Sequence, residues 1–314
     1  MRDVEVLDIS VAIPTYGREQ VLLDTVRSFV ERQTQRPGEI LVVDQTPRHA
    51  RATERTLADW ADGRVVRWLR LAEPCIPRAM NTALVEAVNP VVLFVDDDVV
   101  PSPELVAAHS AALRDSDAWA VAGQVLQPSE EPAEWTASPG SVGLRADFDF
   151  RFNSTRPCWV RNCMAGNLSV RRSQAIQIGG FDENFGATVA YRFETEFARR
   201  VWEHGGKVLF EPKASLRHLR VSDGGTRSAG DHLRTFRPDH SMGDYYFALL
   251  HGARPEVLPY ILRRLVRSAA TRFHLRHPWW VLPTWIGEIR GLAGALRLRA
   301  GGQKLLVAHS MTNE

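Results

Sequence analysis

Short runs of apolar residues alternate with helical patterns between Ile9 and Val125. The runs typical of strands are ISVAIP (9–14), EILVVD (39–44), VVRWLRL (65–71), VVLFVD (91–96) and AWAVAGQV (118–125). Between them, segments such as 18–33 repeat apolar residues at helical spacing. The first, second and fourth strands are almost wholly apolar, which is typical of a parallel sheet covered by helices on both faces. The pattern predicts an α/β fold with a Rossmann-like, mostly parallel sheet flanked by helices.

The second half of the chain has a less regular pattern. Residues 127–157 are rich in Pro, Ser and Gly and are predicted to be a loop, and regular structure resumes near 167–172. A helix is predicted over 193–206, followed by two strands at 207–212 and 214–219. Beyond Ser241 the pattern becomes helical and basic.

Composition adds limits on partners and compartment. The net charge of the 314 residues is +2, so the whole chain gives no case for nucleic acid as a partner. Cys75, Cys158 and Cys163 form neither a zinc-binding spacing nor a disulfide framework, and the N-terminal MRDVEVLDIS lacks the apolar core of a signal peptide. These features predict a cytoplasmic protein, with peripheral attachment to the cytoplasmic face of a membrane left open.

Polar residues follow three of the predicted strands at their carboxyl ends. In open α/β sheets, ligands bind at these ends. The polar residues are Pro14, Thr15 and Tyr16 after the first strand, Asp44 after the second, and Asp96, Asp97 and Asp98 after the fourth. Both GxGxxG and GxxxxGK[ST] are missing, so a bound diphosphate would need another partner, such as a cation held by carboxylates. The aspartate triplet alone is equally compatible with a solvated turn.

Seven segments, in this order, resemble the family 2 glycosyltransferases of the GT-A fold. They are SVAIPTYGR, ILVVDQT, IPRAMNTAL, LFVDDDVVP, MAGNLSVRR, IGGFDENF and YRFETEFARRVWEHGGKVLFEPKASLRHL. The similarity covers roughly residues 8–227. The resemblance implies an inverting transfer from a nucleotide-activated sugar, usually a UDP-sugar, to an acceptor hydroxyl. It also implies a divalent metal, either Mg²⁺ or Mn²⁺.

The resemblance also assigns roles to residues of the nucleotide side. Pro14, Thr15, Tyr16 and Arg18 would line the nucleotide pocket, and Asp44 would hydrogen-bond the pyrimidine edge. Many relatives have two acidic residues where this chain has Asp44 and Gln45, which makes the choice of base less certain. Arg78 and Asn81 would face the ribose and diphosphate. Asp96, Asp97 and Asp98 match the DXD motif, with Asp98 as the direct metal ligand and Asp96 near the ribose or a metal-bound water.

The general base is where this chain departs from the common family pattern. An acidic pair usually opens the helix after the GGFDE segment, whereas this chain has Phe193 and Glu194 there. Glu194 is the predicted base, with a helix-terminal charge or a partner for Arg192 as its alternatives. Glu196 is the competitor, but the two side chains project about 200° apart on an ideal helix, so both cannot face one sugar.

Other residues receive expectations from the same resemblance. His218 is a candidate metal or diphosphate ligand, with a structural role as the alternative. Gly225 and Arg227 lie on a loop that could close over the diphosphate, or that could be an ordinary surface loop. Gly166, Asn167, Asp182 and Glu196 are candidates for the acceptor or donor-sugar side. The glycines could instead simply form turns, and Asp182 could instead cap the local backbone.

The expected organisation is a glycosyltransferase unit over 1–238 and a basic helical region over 239–314. The unit divides into a nucleotide-binding half (8–126) and an acceptor-binding half (127–238). Residues 254–304 contain ten Lys or Arg and two Asp or Glu, with tryptophans among helically spaced apolar residues. That region would either lie on an anionic membrane surface or pack on the catalytic unit.

Two other functions remain alternatives on the sequence alone. The altered acidic pair leaves open a catalytically silent sugar-nucleotide-binding protein or membrane-associated scaffold. A sugar nucleotidyltransferase is less favoured, because IPTYGREQ lacks the glycine-rich, basic loop typical of that class after its first strand.

Overall fold

The computed structural model describes residues 7–135, 143–186, 189, 191–225 and 233–306. Within these ranges, nine strands form one mixed sheet in the order β3-β2-β1-β4-β8-β6-β9-β5, with β7 paired to β9. The strands are β1 (Ile9–Thr15), β2 (Glu39–Asp44), β3 (Arg67–Arg70), β4 (Val91–Val95), β5 (Val99–Pro101), β6 (Ala120–Leu126), β7 (Cys158–Val160), β8 (Asn167–Arg171) and β9 (Val208–His218).

Helices flank this sheet and follow the predicted order. The first six are α1 (Gln20–Glu31), α2 (Arg51–Asp62), α3 (Ile76–Glu86), α4 (Leu105–Arg114), α5 (Arg172–Gln177) and α6 (Phe193–Glu203). The remaining four are α7 (Met242–His251), α8 (Arg254–Ala269), α9 (Arg272–Arg276) and α10 (Val281–Gly301). No helix in the described ranges is both long and apolar enough to cross a bilayer.

One half of the sheet is parallel, as the apolar runs predicted. Strands β3, β2, β1 and β4 lie side by side in parallel, and β1, β2 and β4 are almost completely buried. Strand β8 then lies between β4 and β6 and is antiparallel to both. The carboxyl ends of β1, β2 and β4 therefore share one edge, and the segment before β8 returns to that edge beside the aspartate triplet.

The two strands predicted at 207–212 and 214–219 form the single strand β9. Its pairing with β6 shifts register between Gly123 and Gln124, which pair with Glu211 and Ser215 respectively. Pro212 lies in the extra segment, where a residue without a backbone N–H disturbs the ladder least. The bulge keeps β9 in the sheet as far as His218.

Strand β5 was not predicted, because three residues are too few to show a periodicity. It pairs antiparallel with β9, with Val99 opposite His218. This pairing places the end of the aspartate triplet directly beside the histidine.

The C-terminal helices pack on the rest of the molecule through α7. Tyr245, Tyr246 and Phe247 of this helix are buried, and α10 packs against α7. Residues 302–306 continue past α10 to the segment before α6, where Lys304 N donates to Asp182 Oδ1 and Leu306 N donates to Gly179 O. The described part of the region after 239 is thus largely helical, as predicted, and buried contacts join it to the sheet.

Candidate active site

Three potential metal ligands meet where β4 and β9 end. One ligand atom from each of Asp96, Asp98 and His218 lies within 4.8 Å of the others. His218 Nε2 is 3.0 Å from Asp98 Oδ1 and 3.7 Å from Asp96 Oδ2. On the other side of the ring, Nδ1 is 3.1 Å from Gln127 Oε1, which can accept its hydrogen and leave Nε2 as the ligand atom. Two carboxylates and an imidazole form a donor set suited to a divalent cation such as Mn²⁺.

Asp98 is held as a carboxylate by its surroundings. Its Oδ2 accepts from Val221 N at 2.9 Å and from Arg18 Nη2 at 3.3 Å. Burial alone would raise the pKa of Asp98, but His218, Val221 N and Arg18 together lower it below its ordinary value. The buried side chain is therefore negatively charged and fixed in place before any ligand binds.

Asp97, the middle residue of the triplet, is almost completely buried. Its carboxylate accepts hydrogen bonds from Thr15 Oγ1 at 2.7 Å and from Arg18 Nε at 3.2 Å. Burial raises the pKa of Asp97 to about 7 in spite of these two donors. Asp97 thus ties the end of β1 to the end of β4.

Arg18 links the triplet to the loop that follows β9. Besides contacting Asp97 and Asp98, it donates to the carbonyl oxygens of Val221 and Asp223. Gly225 N donates to Tyr16 O at 2.7 Å, so this loop lies against the end of β1. Arg227 lies outside the described residues.

The absence of a side chain at Gly166 makes room for the carboxylate of Asp96. A Cβ at position 166 would lie 2.2 Å from Asp96 Oδ2, and Asp96 N is 3.4 Å from Gly166 O. Only glycine at this position lets the segment before β8 approach the carboxylate so closely.

Replacing Gly166 with alanine should therefore displace Asp96 without unfolding the protein, because the clash is with the end of a flexible side chain. We expect metal affinity to fall by about tenfold, in line with the 10–100-fold losses typical of disturbed metal-ligand orientation. Titration of Mn²⁺ against nucleotide binding would measure the change. Gly301→Ala is the control, since no atom lies within 4 Å of its added Cβ. Equal metal affinity in both variants would contradict the assignment of Asp96.

A cavity of about 1240 Å³ opens in front of this cluster. Pro14, Thr15, Tyr16 and Gln45 line one part of it, and the aspartate triplet, Gly166 and His218 line another. Glu194, in the first turn of α6, lines the same cavity. The structure therefore brings together the nucleotide-side residues of β1, the metal-ligand cluster and the predicted base.

Glu196 occupies a different environment from Glu194. It is fully buried, with Oε1 2.6 Å from Arg200 Nε and 3.3 Å from His251 Nε2, and Gln303 Nε2 donates to it at 2.9 Å. Burial would raise the pKa of Glu196, but Arg200 and His251 outweigh it and lower the pKa to about 2. This carboxylate joins α6 to α7 and the C-terminal segment.

Arg192, one alternative partner for Glu194, is engaged by other groups. It has a left-handed backbone conformation, with φ of 79°. Its Nε is 2.9 Å from Asp244 Oδ1, and its guanidinium carbon lies 3.7 Å from the centre of the Phe148 ring. Arg192 thus connects the wall of the cavity to α7.

Asp44, expected at the pyrimidine edge, is fully buried, and both of its carboxylate oxygens have hydrogen-bond partners within the protein. Its Oδ2 lies 2.9 Å from His49 Nε2 and 3.0 Å from Trp68 Nε1, while Oδ1 accepts from Thr46 N at 2.8 Å. The neighbouring Gln45 is the residue of this pair that lines the cavity.

Arg78 and Asn81, expected at the ribose and diphosphate, contact the segment before α6. Asn81 exchanges two hydrogen bonds with the backbone of Phe181, at 2.8 and 2.7 Å. Arg78 Nε is 3.0 Å from Glu183 Oε2. Asp182 accepts from Tyr246 Oη at 2.9 Å and from Asn184 N at 3.0 Å. These contacts join α3 and α7 to the segment before α6.

Asn167 is buried beneath the sheet edge. Its amide donates to Gln124 O and Ala214 O, and its Oδ1 is 2.8 Å from His109 Nε2. It therefore fixes β8 against β6 and the bulge of β9.

The C-terminal helices contribute cavity residues that the sequence did not reveal. Tyr260, Arg263, Arg264 and Arg267 of α8 line the cavity. Arg264 is paired with Asp244 at 2.6 Å and with Glu288 at 3.1 Å. The available signal was the recurrence of arginine at positions 263 and 267, one helical turn apart, within the stretch interpreted as a basic tail.

The sequence matches the sequence model of glycosyl transferase family 2 over residues 10–179. No curated protein matches this chain in sequence. Solved structures with the same fold include GalNAc-T7 with UDP, GalNAc and Mn²⁺, at 14% identity and a TM-score of 0.59. The match covers 84% of this chain and 58% of the GalNAc-T7 chain, so this chain spans less than two thirds of that relative.

Two microbial structures match over a larger part of their length. The mannosyltransferase PcManGT from Pyrobaculum calidifontis, in complex with GDP-Man and Mn²⁺, is 19% identical, with a TM-score of 0.53 and coverage of 96% of this chain and 82% of that one. S. aureus TarS 1–349 in complex with UDP-GlcNAc is 15% identical, with a TM-score of 0.62 and coverage of 92% and 81%. These likenesses show the GT-A fold, as expected from the resemblance. Because the family match covers more than half of the 314 residues and the fold agrees with it, the chain belongs to glycosyl transferase family 2.

Proposed function

We propose that this glycosyltransferase moves a sugar from a nucleoside diphosphate sugar, with UDP as the nucleotide, to an acceptor hydroxyl with inversion at the anomeric carbon. The supporting observation is that Glu194 lines the same cavity as Asp96, Asp98 and His218. A carboxylate at the acceptor end and a cation site at the other end are the two groups that such a transfer needs.

Asp96, Asp98 and His218 would hold the cation, Mn²⁺ or Mg²⁺. When bound, the cation would neutralise the negative charge that develops on the departing diphosphate. Arg18 and Val221 N keep Asp98 in position, and Gln127 orients the imidazole, so the donor set is arranged in advance.

Pro14, Thr15, Tyr16 and Gln45 would bind the nucleoside, because they line the cavity beside the cation site. Asp44 would support the nucleoside site indirectly, because its hydrogen bonds to His49 and Trp68 fix the end of β2. The UDP preference draws on the family resemblance and on relatives solved with UDP or UDP-GlcNAc, whereas PcManGT was solved with GDP-Man.

Glu194 would accept the proton of the acceptor hydroxyl. As that proton leaves, the acceptor oxygen forms a bond to the anomeric carbon from the face opposite the diphosphate. The bond between the anomeric carbon and the diphosphate oxygen breaks, and its electron pair leaves with the nucleoside diphosphate. Gly166 would keep the Asp96 carboxylate in place, because a larger residue there would displace it.

The test is nucleotide release by the purified chain. Each of a set of UDP- and GDP-sugars is incubated with Mn²⁺, with Mg²⁺ or with EDTA, and free nucleotide is measured; calorimetry gives the affinity for UDP with and without Mn²⁺. We expect Mn²⁺-dependent UDP binding and metal-dependent release from a UDP-sugar. Tight binding without release in the presence of varied acceptors would favour a silent binding protein, and pyrophosphate formation from UTP and a sugar phosphate would indicate a nucleotidyltransferase.

A further inference from the structure

Helix α8 exposes three of its apolar residues to solvent, although Ile261 beside them packs against the core. Leu258, Leu262 and Val266 are spaced one helical turn apart, on one face of the helix, and they are between 53 and 64% exposed. The opposite side of the same helix carries Arg264, paired with Asp244 and Glu288, and two further arginines that line the cavity. A helix on the surface of a soluble protein normally has the reverse arrangement, with its apolar face inward.

Helix α10 extends this exposed apolar surface. Leu282, Trp285 and Ile289 recur at spacings of three and four residues and are 44 to 66% exposed. Trp285 Nε1 donates to Leu265 O at 3.1 Å, which places the two helices side by side. We call the six residues Leu258, Leu262, Val266, Leu282, Trp285 and Ile289 the outer apolar face. Leu275 and Trp279, in the connection between the helices, are also exposed.

The segment that carries the outer apolar face is strongly basic. Three of its arginines line the cavity, whereas Arg272, Arg276 and Arg290 are exposed and do not line it. Residues 254–304 contain ten Lys or Arg and two Asp or Glu, a balance of +8. One of the two acids, Glu288, is already paired with Arg264. Two copies of the chain that met through this face would bring two basic surfaces together, which Coulomb repulsion disfavours. An anionic surface has the complementary charge.

The residue types also fit a lipid interface. Tryptophan side chains are enriched at the level of lipid headgroups, where their apolar ring is buried and their N–H remains near polar groups. Arginine can extend its apolar stem along an apolar surface while its guanidinium reaches phosphate oxygens. Apolar area and positive charge together set the strength with which an amphipathic helical surface binds anionic lipid.

We propose that the outer apolar face lies in the headgroup interface of an anionic membrane, with α8 and α10 parallel to the membrane surface. The proposal rests on these helices and their charges, and it does not depend on the identity of the sugar or on turnover. It would place α8 between the bilayer on one side and the cavity on the other.

The experiment is flotation of the full chain with vesicles of phosphatidylcholine alone and with vesicles that also contain phosphatidylglycerol. We expect binding to the anionic vesicles that weakens as salt is raised. The triple variant Leu258→Gln, Leu262→Gln, Ile289→Gln should lose about tenfold or more in affinity, because it removes apolar area without changing charge. Val88→Gln is the matched control, since Val88 is 75% exposed but lies after α3.

Three outcomes would overturn the proposal once melting curves show that all variants are folded. One is the absence of binding to either kind of vesicle. Another is equal binding of the triple variant and the parent, which would mean that charge elsewhere suffices. A concentration-dependent dimer that the triple variant abolishes would assign the face to a second copy of the chain.

Discussion

Replacing Asp98 with asparagine is expected to lower sugar transfer by at least about 100-fold, since disturbing residues that only orient a metal ligand already costs 10–100-fold. The change keeps the size of the side chain and removes one negative charge from the cluster with Asp96 and His218. Metal-dependent affinity for UDP should fall together with the rate. Calorimetry over a range of Mn²⁺ concentrations and a nucleotide-release assay would measure the two effects.

Asp98 also bonds Arg18 and Val221 N, so a loss of folding must be distinguished from a loss of metal. Melting temperatures with EDTA present separate the two, because any contribution of the metal to stability is then removed from both proteins. Asp59→Asn, at an exposed position on α2, is the matched control and should behave like the parent. A folded Asp98→Asn protein with unchanged Mn²⁺-dependent binding would contradict the cation site.

Replacing Glu194 with glutamine is expected to reduce kcat by about 10²–10⁴-fold, the range that a positioned general base contributes. The amide keeps the shape of the side chain but cannot take the proton of the acceptor hydroxyl. Because Glu194 would not bind the cation or the nucleotide, affinity for UDP and Mn²⁺ should remain as in the parent. Single-turnover rates combined with nucleotide binding would separate chemistry from affinity.

Two glutamates on the same helix sharpen this test. Glu203→Gln, at the partly exposed end of α6, should leave the rate unchanged. Glu196→Gln should instead lower stability, because removing one partner of a buried ion pair typically costs about 3–5 kcal/mol. A parent-like kcat for Glu194→Gln would mean that another group accepts the proton.

The alternating apolar runs were sufficient to predict the parallel half of the sheet. Strands β1, β2 and β4 are buried on both faces, and such strands require the nearly continuous apolar runs that the sequence shows. The resemblance to family 2 glycosyltransferases implied Asp98 and Asp96 as metal ligands and made His218 a candidate ligand, and the structure brings the three side chains together. Strand β5, which sets the spacing between Asp98 and His218, was too short to detect.

The roles of other residues depend on partners that no local pattern reveals. Asp44 is bonded to Trp68, which is 24 residues away on a neighbouring strand, and Asp182 to Lys304, which is 122 residues away. Such contacts follow from how β3 and the end of the chain are packed, and spacing within a motif carries no information about them. For the same reason, the arginines of α8 were recognised as basic but not as part of the cavity wall.

The short segment after α10 connects the C-terminal helices to the region of α6. Lys304 and Leu306 bond the segment that precedes α6. Gln303 donates to Glu196 on α6 itself, the helix that carries Glu194. A shift of the last helices would thus move α6, and with it Glu194, the proposed proton acceptor. The C-terminal helices therefore cannot be replaced by an unrelated sequence without also changing the position of α6 at the cavity.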